Sequence, residues 1–203
     1  MSMLLLGAGG GASLAPFLAY ASGDRPAGSM FSRGGIGSMT VDSGKSFSGI
    51  GGFHTVSNAT GFICFLGDSI TRGYNPSEVE DSYAPKLVRL CTGPAWHYAN
   101  LGKNSARLAF AGTPELDINE IRIASLSTFF TASKGIIVVF GGTNDLFLGG
   151  ASAATCWTRL KVITAACRAS HPNAKIIAIT PGPRQNDAGF ETARQSFRSL
   201  ING

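Results

Sequence analysis

The stretch GFICFLGDSIT, residues 61–71, decides the fold class, because an apolar run gives way there to short polar side chains. Five apolar residues lie between Gly61 and Gly67 and are typical of a short strand. Asp68 and Ser69 follow directly, and side chains of this kind favour the start of a helix. The stretch therefore predicts a strand, a turn and a helix, with Ser69 in the turn.

Strands and helices alternate through the rest of the chain. Further strands are predicted at 95–102, 135–142 and 174–182, and helices at 77–93, within 115–130, at 152–172 and at 190–203. The run GIIVVFGG at 135–142 is almost purely β-branched, as in a central strand buried on both faces. Elements in this order are joined by right-handed crossovers. The sequence therefore predicts an α/β fold with a doubly wound, flavodoxin-like parallel sheet in a three-layer α/β/α arrangement.

Residues 1–60 differ in composition from the rest. They hold 13 of the 27 glycines and only five charged side chains, and they show no sustained period of a strand or a helix. A segment of this kind buries little by itself, so it takes its order from a neighbour, either its own domain or another subunit. We predict that residues 1–60 form a Gly-rich arm for assembly or attachment, and that residues 61–203 form the domain.

The N-terminus contains two further patterns. Its apolar run ends in Ala19-Tyr20-Ala21, which resembles a secretory signal, but no Lys or Arg precedes Arg25. The motif G-x-G-x-x-A at 7–12 resembles a dinucleotide fingerprint, but Pro16 would interrupt the helix that such a site needs. No cofactor is therefore predicted. We expect the protein in a virion or other extracellular assembly, and secretion through an N-terminal signal is the alternative.

Composition restricts the partners. The chain of 203 residues is 44% apolar and 14% charged, which indicates a globular protein, and its net charge of +5 is spread thinly. The cations that cluster, Arg184, Arg194 and Arg198, indicate a solvated face rather than a nucleic-acid site. No membrane partner is predicted, because glycines and prolines interrupt the N-terminal apolar run. The cysteines lack metal-site spacing, so no metal is predicted and all four are expected to be buried free thiols: Cys64, Cys91, Cys156 and Cys167.

Polar residues gather at the ends of three predicted strands. The first cluster is Gly67–Ser69, the second is Asn100–Ser105 and the third is Gly142–Asp145. Because the carboxyl ends of parallel strands meet at one edge of the sheet, we expect the three clusters to converge there. A serine at such a turn lies beside free N–H groups and the positive end of the following helix, which favour a developing oxyanion.

The motifs FLGDSIT, NLGKNS and VVFGGTND resemble blocks one to three of the GDSL-like lipase/esterase family, also called SGNH hydrolases. The resemblance implies that Ser69 is the nucleophile. It also implies an oxyanion hole made by the N–H of Ser69, a backbone N–H of the second cluster at Gly102 or Ser105, and the side-chain amide of Asn144. Asp68 and Asp145 would support these groups, and the substrates would be esters, including acetylated glycans.

The sequence departs from the family pattern in two places. Ser105 stands where the family usually has a glycine, so the backbone freedom of glycine is lost there. The late D-x-x-H motif that would supply the catalytic aspartate and histidine is absent before Gly203. The histidines are predicted to lie elsewhere: His54 in the arm, His97 on a sheet face, and His171 at the opposite edge of the sheet. A serine without a base is a weak nucleophile.

Three explanations of the absent base are open. The gene product can continue beyond Gly203, which is preferred because the predicted sheet also looks incomplete at its C-terminal side, by one strand and one helix. A neighbouring subunit can supply the base. The domain can also be a degenerate, non-catalytic relative. The two hypotheses for function are accordingly a serine esterase or carbohydrate deacetylase within a larger assembly such as a phage virion or tail, and a non-catalytic structural or binding protein of such an assembly.

Overall fold

The computed structural model describes residues 3–6, 37–40, 46–50, 52–54, 60–73, 83–91, 96–109, 134–148, 150–184 and 187–202. Its strands are β1 (Met3–Leu6), β2 (Gly37–Thr40), β3 (Ser46–Ile50), β4 (Gly52–His54), β5 (Gly61–Gly67), β6 (Trp96–Asn100), β7 (Gly135–Phe140) and β8 (Ala174–Ile179). Its helices are α1 (Ser69–Arg72), α2 (Tyr83–Cys91), α3 (Thr143–Phe147), α4 (Ala153–Ser170) and α5 (Ala188–Asn202).

The main sheet has six strands in the order β1-β8-β7-β5-β6-β4. The four central strands are parallel, with β5 between β6 and β7 and with β8 beyond β7. This is the predicted α/β fold, and the four predicted strands are the four that pair in parallel. The carboxyl ends of β5, β6 and β7 therefore meet at one edge of the sheet, where the three polar clusters begin.

Both outer strands come from residues 1–60 and run antiparallel to their neighbours. In the register of these pairs, Met3 of β1 lies opposite Ile179 of β8, and Gly52 of β4 lies opposite Asn100 of β6. β2 and β3 pair with each other in a separate two-stranded sheet. The sequence did not predict these strands, because segments of three to five residues are too short to show a period. The sequence predicted that the sheet lacks a strand beyond β8, and in the structure β1 pairs with that edge of β8.

One face of the sheet is covered by the two long helices. Cys156 and Leu160 of α4 and Phe197 of α5 are buried against apolar side chains of the sheet such as Phe62 and Val139. Ser152 begins α4 as its N-cap, because its hydroxyl accepts a hydrogen bond of 3.1 Å from the N–H of Thr155. The core on this face includes three buried free cysteines, Cys64, Cys156 and Cys167, which confirms the expectation for those three; the side chain of Cys91 lies outside the described residues.

The other face is covered by α2. Its residues Ala84 and Val88 are buried with alternate residues of β5 and β7, among them Ile63 and Val138. Helices on both faces of the sheet give the predicted three layers. Within the described ranges, no helix is long and apolar enough to span a membrane.

The boundaries of several elements differ from the predictions. The helix predicted at 77–93 is observed as Tyr83–Cys91 within the described residues, and the one predicted within 115–130 lies outside them. The single-turn helix α3 was not predicted, because five residues are too few for an amphipathic pattern. Arg194 was expected on a solvated face, and this was wrong. It is 5% exposed and is hydrogen-bonded to both carboxylate oxygens of Glu191, three residues earlier in α5.

Candidate active site

Ser69 is the first residue of the single-turn helix α1, directly after β5. Asp68 caps this helix, since its Oδ1 accepts a hydrogen bond of 2.9 Å from the N–H of Ile70. The helix ends at Gly73, whose φ of 86° is a left-handed conformation that glycine adopts without strain. Asp68 and Thr71 are buried, whereas Ser69 is half-buried. The turn is therefore anchored by the buried side chains of Asp68 and Thr71, and Ser69 is partly exposed to solvent.

The turn that carries Ser69 is held from two sides. The hydroxyls of Thr71 and of Tyr83 in α2 are 2.8 Å apart and form a hydrogen bond. The side-chain amide of Asn100 donates a bond of 2.8 Å to the carbonyl of Thr71. Sequence reasoning missed the roles of Thr71 and Tyr83, because nothing in their types or spacing indicates this contact.

The second cluster is built around Asn100. Its Oδ1 accepts a hydrogen bond of 2.9 Å from the N–H of Gly102. The N–H of Lys103 donates a bond of 3.0 Å to the carbonyl of Gly67, which joins this loop to the end of β5. The N–H of Gly102 is thus bonded to Asn100, and the place of Gly102 in the oxyanion hole stays a prediction. A side chain at Gly102 would also collide with the backbone nitrogen of Arg72, so this glycine allows close packing of the two loops.

Ser105 has a left-handed backbone, with a φ of 62°. Among the described residues it is the one non-glycine position with positive φ. The conformation that a glycine would favour is thus retained although the residue is serine. Its N–H also stays a predicted backbone donor of the second cluster.

The third cluster places Asn144 in the first turn of α3. Its Nδ2 donates a hydrogen bond of 3.0 Å to the carbonyl of Ala106, which follows Ser105 directly. A side-chain amide has two hydrogens, so this bond orients the group and leaves a second N–H for another acceptor. Asn144 is half-buried, and its amide does not titrate. It can therefore donate to an oxyanion at any pH near neutrality.

Asp145 connects the third cluster to the loop that follows the second. The carboxylate is buried and accepts hydrogen bonds from the N–H of Leu108, at 2.8 Å, and of Ala109, at 2.7 Å. Burial raises the pKa of Asp145, and these two N–H groups oppose the rise. The side chain of Asp145 thus fixes residues 108–109 relative to α3, and this is how it can support the site.

Asp68 is a buried carboxyl directly before Ser69. Burial raises its pKa to about 6, against the opposing effects of the Ile70 N–H, the Thr143 hydroxyl and the Thr71 N–H. The nearby Asp145 carboxylate contributes a further increase. Near neutral pH this group therefore exchanges between its charged and neutral forms far more readily than an exposed aspartate does.

Two of the three histidines, His97 and His171, lie away from the three clusters. His171 caps the C-terminus of α4 and its ring is 4.9 Å from that of Phe62, near the start of β5, so it lies at the opposite edge as predicted. His97 pairs in register with the same Phe62, which at about 3.3 Å per residue is roughly 16 Å along the strand from Gly67. His54 of β4 lies opposite Tyr98 of β6. Neither His97 nor His171 is therefore placed to act as a base for Ser69.

The sequence comparison agrees with this geometry. A family model described as the GDSL-like Lipase/Acylhydrolase family matches residues 65–202, a span that includes Ser69, Asn100 and Asn144. The chain belongs to this family. Its members are esterase-type hydrolases by that description. The matched span contains all three polar clusters. Among curated proteins, none matches this sequence.

Solved structures share the fold of this family member. An active-site mutant of a family two carbohydrate esterase from Clostridium thermocellum has a TM-score of 0.55 at 19% identity, over 72% of this chain and 50% of that one. Est24, a carbohydrate acetylesterase from Sinorhizobium meliloti, has a TM-score of 0.55 at 16% identity, over 71% of this chain and 78% of that one. This chain thus spans half the length of the Clostridium thermocellum protein. At these identities the likeness establishes the fold.

The described part of the chain contains no group of three His, Cys, Asp or Glu side chains that could hold a metal ion. The expectation of no metal and no cofactor stays a prediction.

Proposed function

We propose that this protein is a serine ester hydrolase, of the esterase or carbohydrate deacetylase type, with Ser69 as its nucleophile. The observation that carries the proposal is the convergence of three strand ends on the turn of Ser69. The Lys103 N–H bond to Gly67 joins the second cluster to the first, and the Asn144 amide bond to Ala106 joins the third to the loop after the second. Three motifs far apart in the sequence are thereby held in one hydrogen-bonded unit.

The reaction follows from the groups that this unit presents. The Ser69 Oγ attacks the ester carbonyl carbon and gives its proton to a base, so that the carbonyl oxygen becomes an oxyanion. The second N–H of the Asn144 amide and the backbone N–H groups of Ser69 and Ser105 donate to that oxyanion. Collapse of the tetrahedral intermediate breaks the bond to the alcohol, which leaves with a proton, and water then hydrolyses the acyl-serine to regenerate Ser69.

The base is the group that the described site lacks. Because neither His97 nor His171 lies near Ser69, we propose that the base comes from a side chain outside the described residues or from a neighbouring subunit. The substrate class that we favour is an acetylated glycan. The two structural neighbours, a carbohydrate esterase and a carbohydrate acetylesterase, support this preference.

A fluorophosphonate probe tests for the nucleophile. We expect it to label the protein and to lose its target in Ser69→Ala. Ser152→Ala is the matched control, because Ser152 is also a serine at the start of a helix but lies on the exposed end of α4. The test is made on the isolated chain and on the protein from its natural source. Absence of labelling in both preparations, or labelling that persists in Ser69→Ala, would refute the proposal.

The second candidate function is a non-catalytic structural or binding protein of a virion-like assembly. The positions of His97 and His171 away from Ser69 favour it, as does the Gly-rich composition of residues 1–60. A phage virion or tail location has no support among the matches, and the assembly partners of residues 1–60 stay a prediction. An intact protein that resists the probe and co-purifies with other structural proteins would favour this function.

A further inference from the structure

Two buried oxygen atoms beside the nucleophile lack hydrogen-bond partners. One is Oδ2 of Asp68, the residue before Ser69, and the other is Oγ1 of Thr143, the residue before Asn144. Asp68 is 1% exposed. A buried polar atom without a partner is costly, and native proteins rarely keep one without a reason. These two belong to the first and third clusters, one residue from the nucleophile and one residue from the side-chain oxyanion donor.

The two oxygens are neighbours. The Thr143 hydroxyl is close enough to the Asp68 carboxyl to lower its pKa, although the two groups stand outside hydrogen-bond geometry. A hydroxyl hydrogen rotates freely about its C–O bond, and χ1 of threonine has more than one staggered position in a helix. A change in the χ1 angle of Thr143 is the movement by which its hydroxyl would donate to Oδ2 of Asp68.

We propose that Thr143 is a positioning residue, whose hydroxyl donates a hydrogen bond to Oδ2 of Asp68 in the working enzyme and thereby ties the turn of Ser69 to the helix that carries Asn144. The proposal rests on the proposed function, since the position of Asn144 matters to a reaction only if Ser69 is the nucleophile. The geometry favours this role because Gly142, the N-cap of α3, offers no side chain to fix the start of that helix.

The bond is compatible with both forms of the carboxyl. A charged Asp68 accepts from the Thr143 hydroxyl, and a neutral Asp68 donates its proton to Oγ1 of Thr143 instead. The other groups that face Asp68 are the N–H groups of Ile70 and Thr71 in its own turn, Asp145 of α3, and Tyr83 of α2. Burial raises the pKa of Tyr83 and keeps its hydroxyl neutral, so the carboxyl has no cation among these groups.

The contact is tested by titrating the Asp68 carboxyl with carbon-13 NMR, with the resonance assigned by its loss in Asp68→Asn. We expect the carboxyl of the parent protein to titrate at about pH 6. Thr143→Val, which has the same shape without the hydroxyl, should raise that midpoint by about one pH unit because a stabilising donor is lost. Thr143→Ser should restore it. Thr192→Val is the control, because the Thr192 hydroxyl is bonded to Ala188 on the exposed side of α5.

The positioning role is tested by the rate of acylation with the fluorophosphonate probe, in the same variants. We expect Thr143→Val to slow acylation about tenfold, less than the loss of a whole oxyanion donor, and Thr143→Ser to recover most of the rate. An unchanged titration in Thr143→Val would overturn the contact. A shifted titration with an unchanged rate would overturn the positioning role. If the parent protein does not react at all, the proposed function fails together with this role, while the titration still decides whether the contact exists.

Discussion

The carboxylate of Asp145 accepts a hydrogen bond of 2.8 Å from the backbone N–H of Leu108, and its second oxygen accepts one of 2.7 Å from Ala109. This pair of bonds joins α3 to the loop after the second cluster, across 36 or 37 residues of sequence. The neighbouring Asn144 contacts the same loop at Ala106. The Asp145 carboxyl and the Asn144 amide therefore both fix the loop at residues 106–109 relative to α3.

Asp145→Asn should destabilise the protein. One carboxylate oxygen becomes an NH2 group, which faces a backbone N–H and leaves that buried donor without an acceptor. We expect the free energy of unfolding to fall by about 1–3 kcal/mol. Urea denaturation measures this, with Asp187→Asn as the control, because Asp187 accepts a single bond from the N–H of Phe190 at the start of α5. Equal urea midpoints in the parent and in Asp145→Asn would contradict the assignment.

Asn144→Ala should remove the side-chain oxyanion donor and leave the fold nearly intact. Asn144 is half-buried and makes one hydrogen bond to Ala106, so the loss of stability should be small. The rate of acylation should fall by about a hundred- to a thousandfold, the usual effect of losing one such donor. The comparison needs rates of acylation and urea midpoints from the same preparation. A tenfold effect or less would mean that the amide does not face the oxyanion.

The sequence predicted the parts of this molecule that rest on long periodic patterns. The four parallel strands could be predicted because their sequences are apolar runs, such as 135–140, which the structure buries on both faces. Ser69, Asn144 and Asp145 could be proposed as site residues because they follow such runs directly. The convergence of the three clusters then follows from the rule that parallel strands end at one edge.

The sequence did not predict features that depend on contacts between distant segments. The pairing of β1 with β8 depends on a four-residue strand that has no period of its own. The hydrogen bond from the N–H of Gly102 to Asn100 was not predicted, because only the folded geometry brings these two groups together. Arg194 was misassigned because its spacing fits an exposed helix face, and its burial is a consequence of how α5 packs. These are tertiary effects that residue type and spacing do not encode.

The raised pKa of Asp68 predicts how stability depends on pH. Its value of about 6 lies above the ordinary value of 3.8, so the folded protein binds this proton more tightly than the unfolded chain does. The stabilisation is therefore fully present below about pH 4 and is lost as the pH rises through about 6. Relative to Asp68→Asn, which does not titrate, the parent should lose roughly 3 kcal/mol between these limits.

Urea denaturation of the parent and of Asp68→Asn, in parallel from about pH 4 to about pH 8, measures this difference. Asparagine also caps helices, so the variant keeps the acceptor for the N–H of Ile70. Titrating groups that do not interact with Asp68, such as Glu191 with its pKa lowered to about 2, cancel in the comparison. Parallel stability curves would show that the Asp68 carboxyl titrates normally in the folded protein.

The left-handed backbone of Ser105 predicts how substitutions at this position change the free energy of unfolding. Its φ of 62° lies in the left-handed region, where a side chain is strained and a β-branched one more so. Ser105→Gly should therefore leave the free energy of unfolding unchanged or raise it by up to about 1 kcal/mol, because relief of strain offsets the entropy of glycine. Ser105→Val should lower it by about 2 kcal/mol. Because Ser105 is exposed, the two substitutions differ in backbone strain rather than in packing. Urea denaturation that finds the valine variant as stable as the glycine variant would mean that residue 105 is not left-handed in solution, and that its N–H points away from the proposed oxyanion hole.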